Sequence, residues 1–140
     1  MTETMNLRQA PKATICNRLL WPGRIMSAAV VVALVADGAI QLFAPAQIAS
    51  MLQETGFAPV LTRVLGPIIL ACAILYAIPA TAVLGAILVT GFLGGAICAH
   101  VRIGELGAPP ELISLFLGAM TWGGLYLRDP RIRAVLPLVH

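Results

Sequence analysis

The feature that most limits what this chain can fold into is the scarcity of charge along its middle. Between residues 25 and 127 the charged side chains are Asp37, Glu54, Arg63, Arg102, Glu105 and Glu111. Of all 140 residues, 59% are hydrophobic and 11% are charged, whereas a soluble domain usually carries about 25% charged residues. A soluble protein this small has a large surface relative to its volume and needs polar groups to cover it. We therefore infer that much of the surface faces lipid.

The charge-poor region divides into four segments that are long enough to cross a bilayer as helices. They cover about residues 25–43, 59–78, 81–99 and 109–127. A hydrocarbon core of about 30 Å takes about 20 apolar residues in a helix, and lipid offers no partners to backbone polar groups outside a helix or a closed barrel. The predicted fold is therefore all-α, a single domain over residues 1–140 that forms an integral membrane four-helix bundle. Residues 1–14 are expected to be a flexible N-terminal segment.

Two shorter helices are predicted outside the spans. Between Pro45 and Gly56, side chains recur at the i, i+3, i+4, i+7 spacing of an amphipathic helix, namely Ile48, Met51, Leu52 and Thr55. We expect a short interfacial helix there, between the first and second spans. After the fourth span, Asp129 followed by Pro130 is typical of a helix N-cap and first helical residue. A short surface helix is expected over about residues 130–136, with its arginines in water.

The distribution of basic residues predicts the orientation. The N-terminal segment carries four basic residues and the C-terminal segment three, whereas the opposite loops carry only Arg63 and Arg102. The positive-inside rule then places both termini in the cytoplasm and the chain in the inner membrane as a multi-pass protein. Trp21, Tyr76 and Tyr126 would lie near the cytoplasmic interface. A cleaved signal peptide is the competing interpretation, but the first apolar stretch is too long for one.

Small residues are concentrated in the third and fourth spans, where they predict close helix packing. The candidate packing positions are Gly85, Gly91, Gly94, Gly95, Gly118 and Gly123. Apolar helices gain nothing from hydrophobicity inside lipid and associate instead through small residues that let their backbones approach. We expect these glycines to pack the helices within one chain. The alternative is a contact face between two copies of the chain.

Five polar residues are predicted to lie at one depth, in the outer leaflet: Asp37, Gln41, Arg63, His100 and Arg102. An unpaired carboxylate there costs about 3 kcal/mol on insertion scales, so Asp37 must be paired, hydrated or protonated. One interpretation is a structural ion pair of Asp37 with Arg63 or His100. The other is an outward-facing ligand-binding or proton-linked site. Arg102 could also serve as an anchor that reaches the headgroups.

Several segments together resemble the DoxX-like family of small four-helix bacterial membrane proteins. They are Asp37-Gly38, residues 81–86, residues 90–96, His100-Val101-Arg102 and residues 122–130. The resemblance covers roughly residues 20–137 and implies the fold and the membrane more than a reaction. Some members of the wider family are linked to sulfur-redox chemistry with quinone, which implies quinone as a possible cofactor. The chain departs from related sequences at Gln41, where they often carry lysine.

The remaining residues argue against most enzyme classes. The spacing of Cys16, Cys72 and Cys98 fits no metal site, and Cys72 and Cys98 would differ in height by roughly 15 Å, too far for a disulfide. The sequence carries no phosphate loop, nucleotide fingerprint or catalytic triad, and its basic ends fit lipid headgroups better than nucleic acid. We expect no metal and no cofactor, and a role as an accessory or scaffold subunit that binds other membrane subunits or itself. The alternatives are a quinone-linked redox subunit and a small oligomeric transporter or channel.

Overall fold

The fold consists of helices joined by short connections. The computed structural model describes residues 10–104 and 106–135, and these contain no strand. The α-helices are α1 (Ala10–Phe43), α2 (Pro45–Glu54), α3 (Thr62–Ala77), α4 (Ala82–Arg102), α5 (Pro109–Arg128) and α6 (Pro130–Val135). A 3-10 turn, Pro59–Leu61, leads into α3. The predicted all-α class is confirmed.

The helix ends lie where proline, glycine and capping residues predict them. Helix α2 begins at Pro45 and ends before Gly56, whose φ of +76° is a left-handed conformation that glycine adopts without strain. Helix α3 ends at Ala77, just before Pro79. At the start of α6, the Asp129 carboxylate accepts a hydrogen bond of 2.9 Å from the backbone N–H of Arg131, as expected of an N-cap.

The beginning of α1 differs from the sequence prediction. The helix begins at Ala10 and continues through Pro22 to Phe43. The segment predicted to be flexible, residues 1–14, therefore contains the first helical residues, while residues 1–9 lie outside the described residues. The last residue predicted for the tail helix, at position 136, also lies outside them.

The four longest helices pack as a closed ring. Helix α1 contacts α3 and α5, and α4 contacts the same two helices from the opposite side. Within the described ranges, the backbones of α1 and α4 do not approach each other, nor do those of α3 and α5, although side chains of α3 and α5 meet across the ring. The size of the side chains that face the ring's centre therefore decides whether that space is filled or left as a cavity.

The centre is filled at the end where α3 turns back into α4. The core there is formed by Val30, Leu34, Ile69, Ala73, Tyr76, Ala82, Ala86, Val89 and Leu125. Tyr76, Ala73 and Leu125 have no solvent exposure. The opposite end of the ring, where α2 lies, carries few buried apolar residues and is where a cavity forms.

The outer surface of the ring is strongly apolar. Val32 is 68% exposed, Ile87 54% and Phe116 64%, whereas monomeric soluble proteins rarely expose large continuous apolar patches. In the described part of the chain, two helices are both long and apolar enough to cross a bilayer, Leu20–Phe43 and Ala82–Arg102. Helix α3 is apolar but shorter.

Candidate functional site

A cavity of about 660 Å³ lies inside the ring, next to α2. Its wall is mostly apolar, with side chains such as Leu34, Leu65, Ile69, Phe92 and Leu117. Helix α2 contributes Ile48, Met51 and Leu52. Sites for small molecules are typically about 300–1,000 Å³, apolar, with a few placed polar groups. The volume and the lining of this cavity fit that description.

The polar groups in the wall come from every surrounding helix except α3, counting the residue just after α2. They are Asp37 and Gln41 on α1, Thr55 after α2, His100 on α4 and Ser114 on α5. His100 is 8% exposed and takes part in an interaction of its own. The Thr55 hydroxyl donates to the backbone oxygens of Met51 and Leu52, at 3.2 and 2.9 Å. Three of the five residues predicted as an intramembrane cluster, Asp37, Gln41 and His100, therefore line one cavity.

Asp37 and Gln41 form a hydrogen-bonded pair within α1. They are four residues apart, so they share one face of the helix, and Gln41 Nε2 donates to Asp37 Oδ2 at 2.9 Å. This bond identifies the other amide atom of Gln41 as the oxygen. That oxygen, Oε1, is buried and accepts no hydrogen bond in the structure. Gln41 as a whole is only 6% exposed. The pair thus places a carboxyl and an amide group in the cavity wall, and the buried amide oxygen has no donor among the described residues.

Arg63 does not join this cluster, and the predicted ion pair with Asp37 is wrong. Arg63 is exposed on the first turn of α3 and is not part of the cavity wall. The Asp37 carboxylate has Gln41, rather than a guanidinium, as its hydrogen-bond partner among the side chains that the structure describes. The sequence placed both residues at one depth, but the rotation of α3 about its own axis turns Arg63 away.

Arg102 ties the end of α4 to the segment after α2. Its Nη2 donates to the Thr55 backbone oxygen at 2.8 Å, and its guanidinium carbon lies 5.6 Å from the centroid of the Phe57 ring. A side chain at Gly56 would meet this guanidinium. Arg102 therefore holds the cover of the cavity, formed by α2 and the following loop, and does not line the cavity itself.

The glycines of α4 differ from one another in role, and only Gly85 packs as predicted. Gly85 packs directly against the backbone of Tyr76 in α3. At Gly91, Gly94 and Gly95, no atom of another described element lies within 4 Å of where a Cβ would stand. Contrary to the sequence prediction, these three glycines do not bring helices together within the described chain. Gly91 and Gly95 line the cavity instead, so their lack of a side chain keeps the centre of the ring open.

The α5 glycines make looser contacts. A Cβ at Gly123 would lie 3.1 Å from Met26 Cε, and one at Gly118 would lie 4.0 Å from Leu93 Cδ1. Tighter contacts occur at glycines that the sequence analysis did not select, namely Gly23, Gly38, Gly66 and Gly124. Each of these lies where α1 meets α3 or α5. A contact face between two copies of the chain, formed by Gly91 and Gly95, stays a prediction.

A second polar group lies buried at the filled end of the ring, and the sequence did not predict its burial. Tyr76 was predicted at the membrane interface but has no exposure. Its hydroxyl donates to the Thr121 backbone oxygen at 2.9 Å and lies 3.1 Å from Ser27 Oγ. Arg128 donates to the Tyr76 backbone oxygen at 2.9 Å and lies over its ring, 4.8 Å from the centroid. This group joins α1, α3 and α5 and is structural.

The cavity residues that the sequence analysis overlooked are Thr55 and Ser114. Ser114 was noted only as a small residue in the fourth span, and Thr55 only as part of the α2 pattern. Ser114 lies at a depth similar to that of Asp37 when residues are counted from the ends of α5 and α1, at about 1.5 Å per residue. Its depth could have been read from the sequence, but not the direction of its side chain. Thr55 follows α2, outside the four long helices, so counting along a span could not identify it.

An apolar outer surface and two helices long and apolar enough to cross a bilayer are typical of a helical membrane protein, and the helices surround a cavity. A family model described as the DoxX-like family matches residues 25–124. The chain belongs to this family, and the matched region contains α3, α4 and every residue of the cavity wall. Comparison with curated proteins and with solved structures found no significant match.

Proposed function

We propose that this DoxX-like chain is a multi-pass membrane protein that holds a small, largely apolar molecule in the cavity of its ring. The observation that carries the proposal is the cavity itself, about 660 Å³ in volume and lined by apolar side chains with a few polar groups. A soluble ligand would need more polar contacts. A molecule that partitions into lipid can enter between helices whose outer faces are already apolar.

In this proposal, α1, α3, α4 and α5 cross the membrane together as a four-helix bundle. Helix α3 has 16 residues and rises about 24 Å. The 3-10 turn before it adds about 6 Å, which brings the segment to the thickness of a bilayer core of about 30 Å. Helices α2 and α6 lie at opposite surfaces. With both termini in the cytoplasm of a bacterial inner membrane, the cavity lies in the outer half.

We further propose that the chain acts as an accessory subunit that presents its ligand to a membrane complex. The few chemical groups in the sequence favour binding over independent catalysis. The quinone-linked alternative uses the same cavity, since a quinone is a molecule of this size and polarity. A transporter also remains an alternative, since the cavity supplies room within a single chain.

Filling the cavity tests the binding proposal. Gly95→Leu and Gly91→Leu place a side chain in open cavity space, so both variants should fold and lose most of the bound molecule. The measurement is mass spectrometry of the organic extract from protein purified out of native membranes in mild detergent. We expect a molecule that is enriched with the wild type and reduced at least about tenfold in Gly95→Leu.

The matched control is Gly94→Leu, because Gly94 has equally open space around it but does not line the cavity. This variant should retain the molecule. Identical extracts from the wild type, Gly94→Leu and Gly95→Leu would contradict the binding proposal. The same preparations test the accessory role, which requires other membrane proteins to co-purify with the wild type in a fixed ratio.

A further inference from the structure

The cavity reaches the outer surface of the ring along one face of α4. At the i, i+4, i+7, i+11 spacing of a single helix face, α4 carries Leu84, Leu88, Gly91 and Gly95. The two leucines are 51% and 41% exposed on the apolar outer surface. The two glycines are exposed as well, and both also line the cavity. The outward-facing side of α4 and the wall of the cavity therefore meet at these glycines.

Helices α3 and α4 diverge from their hairpin toward the end where α2 lies. At the hairpin end they touch, because Gly85 packs against the backbone of Tyr76. Phe92 and Ala96 follow Gly85 at i+7 and i+11, so they lie on the same face of α4, but there they line the cavity. Ile69 lines the cavity from α3. The cavity therefore occupies the gap between the two helices.

The described chain leaves this gap open at the glycines of α4. At Gly91 and Gly95, no atom of another described element lies within 4 Å of where a Cβ would stand. The other two exposed residues of the wall, Phe57 and Ile113, carry large side chains beside the cavity. The glycines are therefore the part of the exposed wall that offers a ligand the most room.

This opening and the polar groups of the wall lie at opposite ends of the cavity. Gly91 is the tenth of the 21 residues of α4, so it lies near the middle of the span. His100 follows nine residues later, about 14 Å along the helix at about 1.5 Å per residue. Gln41, near the end of α1, and Thr55, just after α2, belong to the same polar end. A ligand in the cavity thus meets polar groups at one end and the apolar outer surface at the other.

We propose, on the basis of the proposed function, that the ligand is a single-chain amphiphile. Its small polar head lies at the α2 end of the cavity, and its chain leaves between α3 and α4 into the bilayer. The cavity volume of about 660 Å³ then does not limit the length of the chain. A phospholipid brings a second chain and a larger, charged head, whose burial in a mostly apolar wall is costly.

Competition between alcohols of different chain length tests this proposal. The reporter is naphthylethanol, whose binding to the full-length protein in nanodiscs is measured by equilibrium dialysis, with empty nanodiscs of the same composition subtracted. The competitors are octanol, which is short enough to lie between His100 and Gly91, and octadecanol, which is longer than that distance. In the wild type, both should displace the reporter at similar mole fractions in the bilayer, because the outer part of the longer chain stays among lipid tails whether it is bound or free.

Gly91→Leu and Gly95→Leu place a side chain where the ligand's chain would leave. Relative to octanol, octadecanol should need a mole fraction at least about tenfold higher in both variants, because forcing a chain past an added side chain overpacks the opening. The control is Gly94→Leu, since Gly94 has equally open space around it but does not line the cavity. The ratio of the two alcohols in this variant should equal that of the wild type.

Photolabelling of the wild type gives a second measurement that needs no variant. Octadecanol with a diazirine at the end of its chain should label exposed side chains beside the opening, such as Leu88, and excess octanol should prevent this labelling. Labelling that is confined to the cavity wall, or that octanol does not reduce, would show that the chain does not leave between α3 and α4. This measurement decides the result if the leucine variants do not fold or the reporter does not bind.

The outcomes keep the two proposals apart. If octanol displaces the reporter and octadecanol does not, or if the ratio is the same in the wild type and both leucine variants, the amphiphile proposal is overturned while binding in the cavity stands. A ratio that changes in Ile113→Trp instead places the exit beside α5 and also overturns it. If the reporter does not bind above the empty nanodiscs, octadecanol does not label the protein and no molecule co-purifies with it, the proposed function itself fails.

Discussion

At the scale of single residues, Tyr76 shows how a polar side chain can be satisfied deep in an apolar ring. The ring of Tyr76 contributes to the core, while its hydroxyl reaches the Thr121 backbone oxygen and Ser27. A buried hydroxyl without partners would be costly, so the position of α1 and α5 relative to α3 is coupled to this one side chain. Asp37 contrasts with it, because it lies in the wall of a cavity and bonds a side chain of its own helix, Gln41.

We predict that Tyr76→Phe lowers the free energy of unfolding by about 1 kcal/mol, because it removes a buried hydrogen bond to the Thr121 backbone oxygen. The measurement is reversible unfolding in mixed micelles followed by circular dichroism. Tyr126→Phe is the matched control, since Tyr126 is only partly buried and its hydroxyl makes no hydrogen bond to the residues that the structure describes. Equal stability of the two variants would show that the Tyr76 hydroxyl contributes nothing.

At the scale of elements, α4 uses glycine for two opposite purposes. Near its beginning, Gly85 lets the backbone of α3 approach closely in the tight hairpin around Pro79. Further along α4, Gly91 and Gly95 line the cavity and have no side chains that would fill it. The same residue type therefore closes the ring at one end and leaves it open at the other. The difference comes from what faces each glycine.

Alanine substitution should have opposite effects on stability at a glycine packed against a backbone and at a glycine in open space. Gly85→Ala should destabilise the protein by about 3 kcal/mol or more, because the added methyl group meets the backbone of Tyr76, which cannot move as a flexible side chain would. Gly94→Ala meets open space and should stabilise α4 by about 0.5–1 kcal/mol through helix propensity. Both are measured as unfolding free energies in one detergent. A stability of Gly85→Ala at or above that of the wild type would contradict the close approach.

At the scale of the whole molecule, the ring separates a packed end from a hollow end. The packed end lies on the side of the α3–α4 hairpin, and α2 with the loop held by Arg102 covers the hollow end. In the proposed orientation, the hairpin and both termini face the cytoplasm and the covered cavity faces outward. Access to the ligand would then be from the outer leaflet.

The orientation predicts the result of reporter fusions. A reporter after His140, or one inserted at Ala80 in the hairpin, should behave as cytoplasmic. A reporter inserted at Gly107, in the exposed connection between α4 and α5, should behave as external, since three spans separate it from the N-terminus and one from the C-terminus. The measurement is activity of compartment-specific reporters in whole cells. An external reporter at His140, or a cytoplasmic one at Gly107, would reverse the orientation.

The sequence by itself determined the helices and the depth of their residues. Charge-poor stretches, Pro45, Pro79 and the Asp129 cap act on the local backbone, so their effects can be read without knowing any neighbour. Depth follows equally simply, because each helical residue rises by a fixed amount. The placement of Asp37, Gln41 and His100 at one level could therefore be predicted before the structure.

Only the tertiary structure decided which way each helix faces. Rotation about a helix axis depends on the side chains of its neighbours, and an apolar helix in lipid carries no polar face to reveal it. That rotation turns Arg63 outward, buries Tyr76, and sets Gly85 against a backbone but Gly91 and Gly95 against a cavity. The cavity exists because Gly91 and Gly95 on α4 lie across the ring from α1. This arrangement comes from the packing of the helices together and cannot be read from either helix alone.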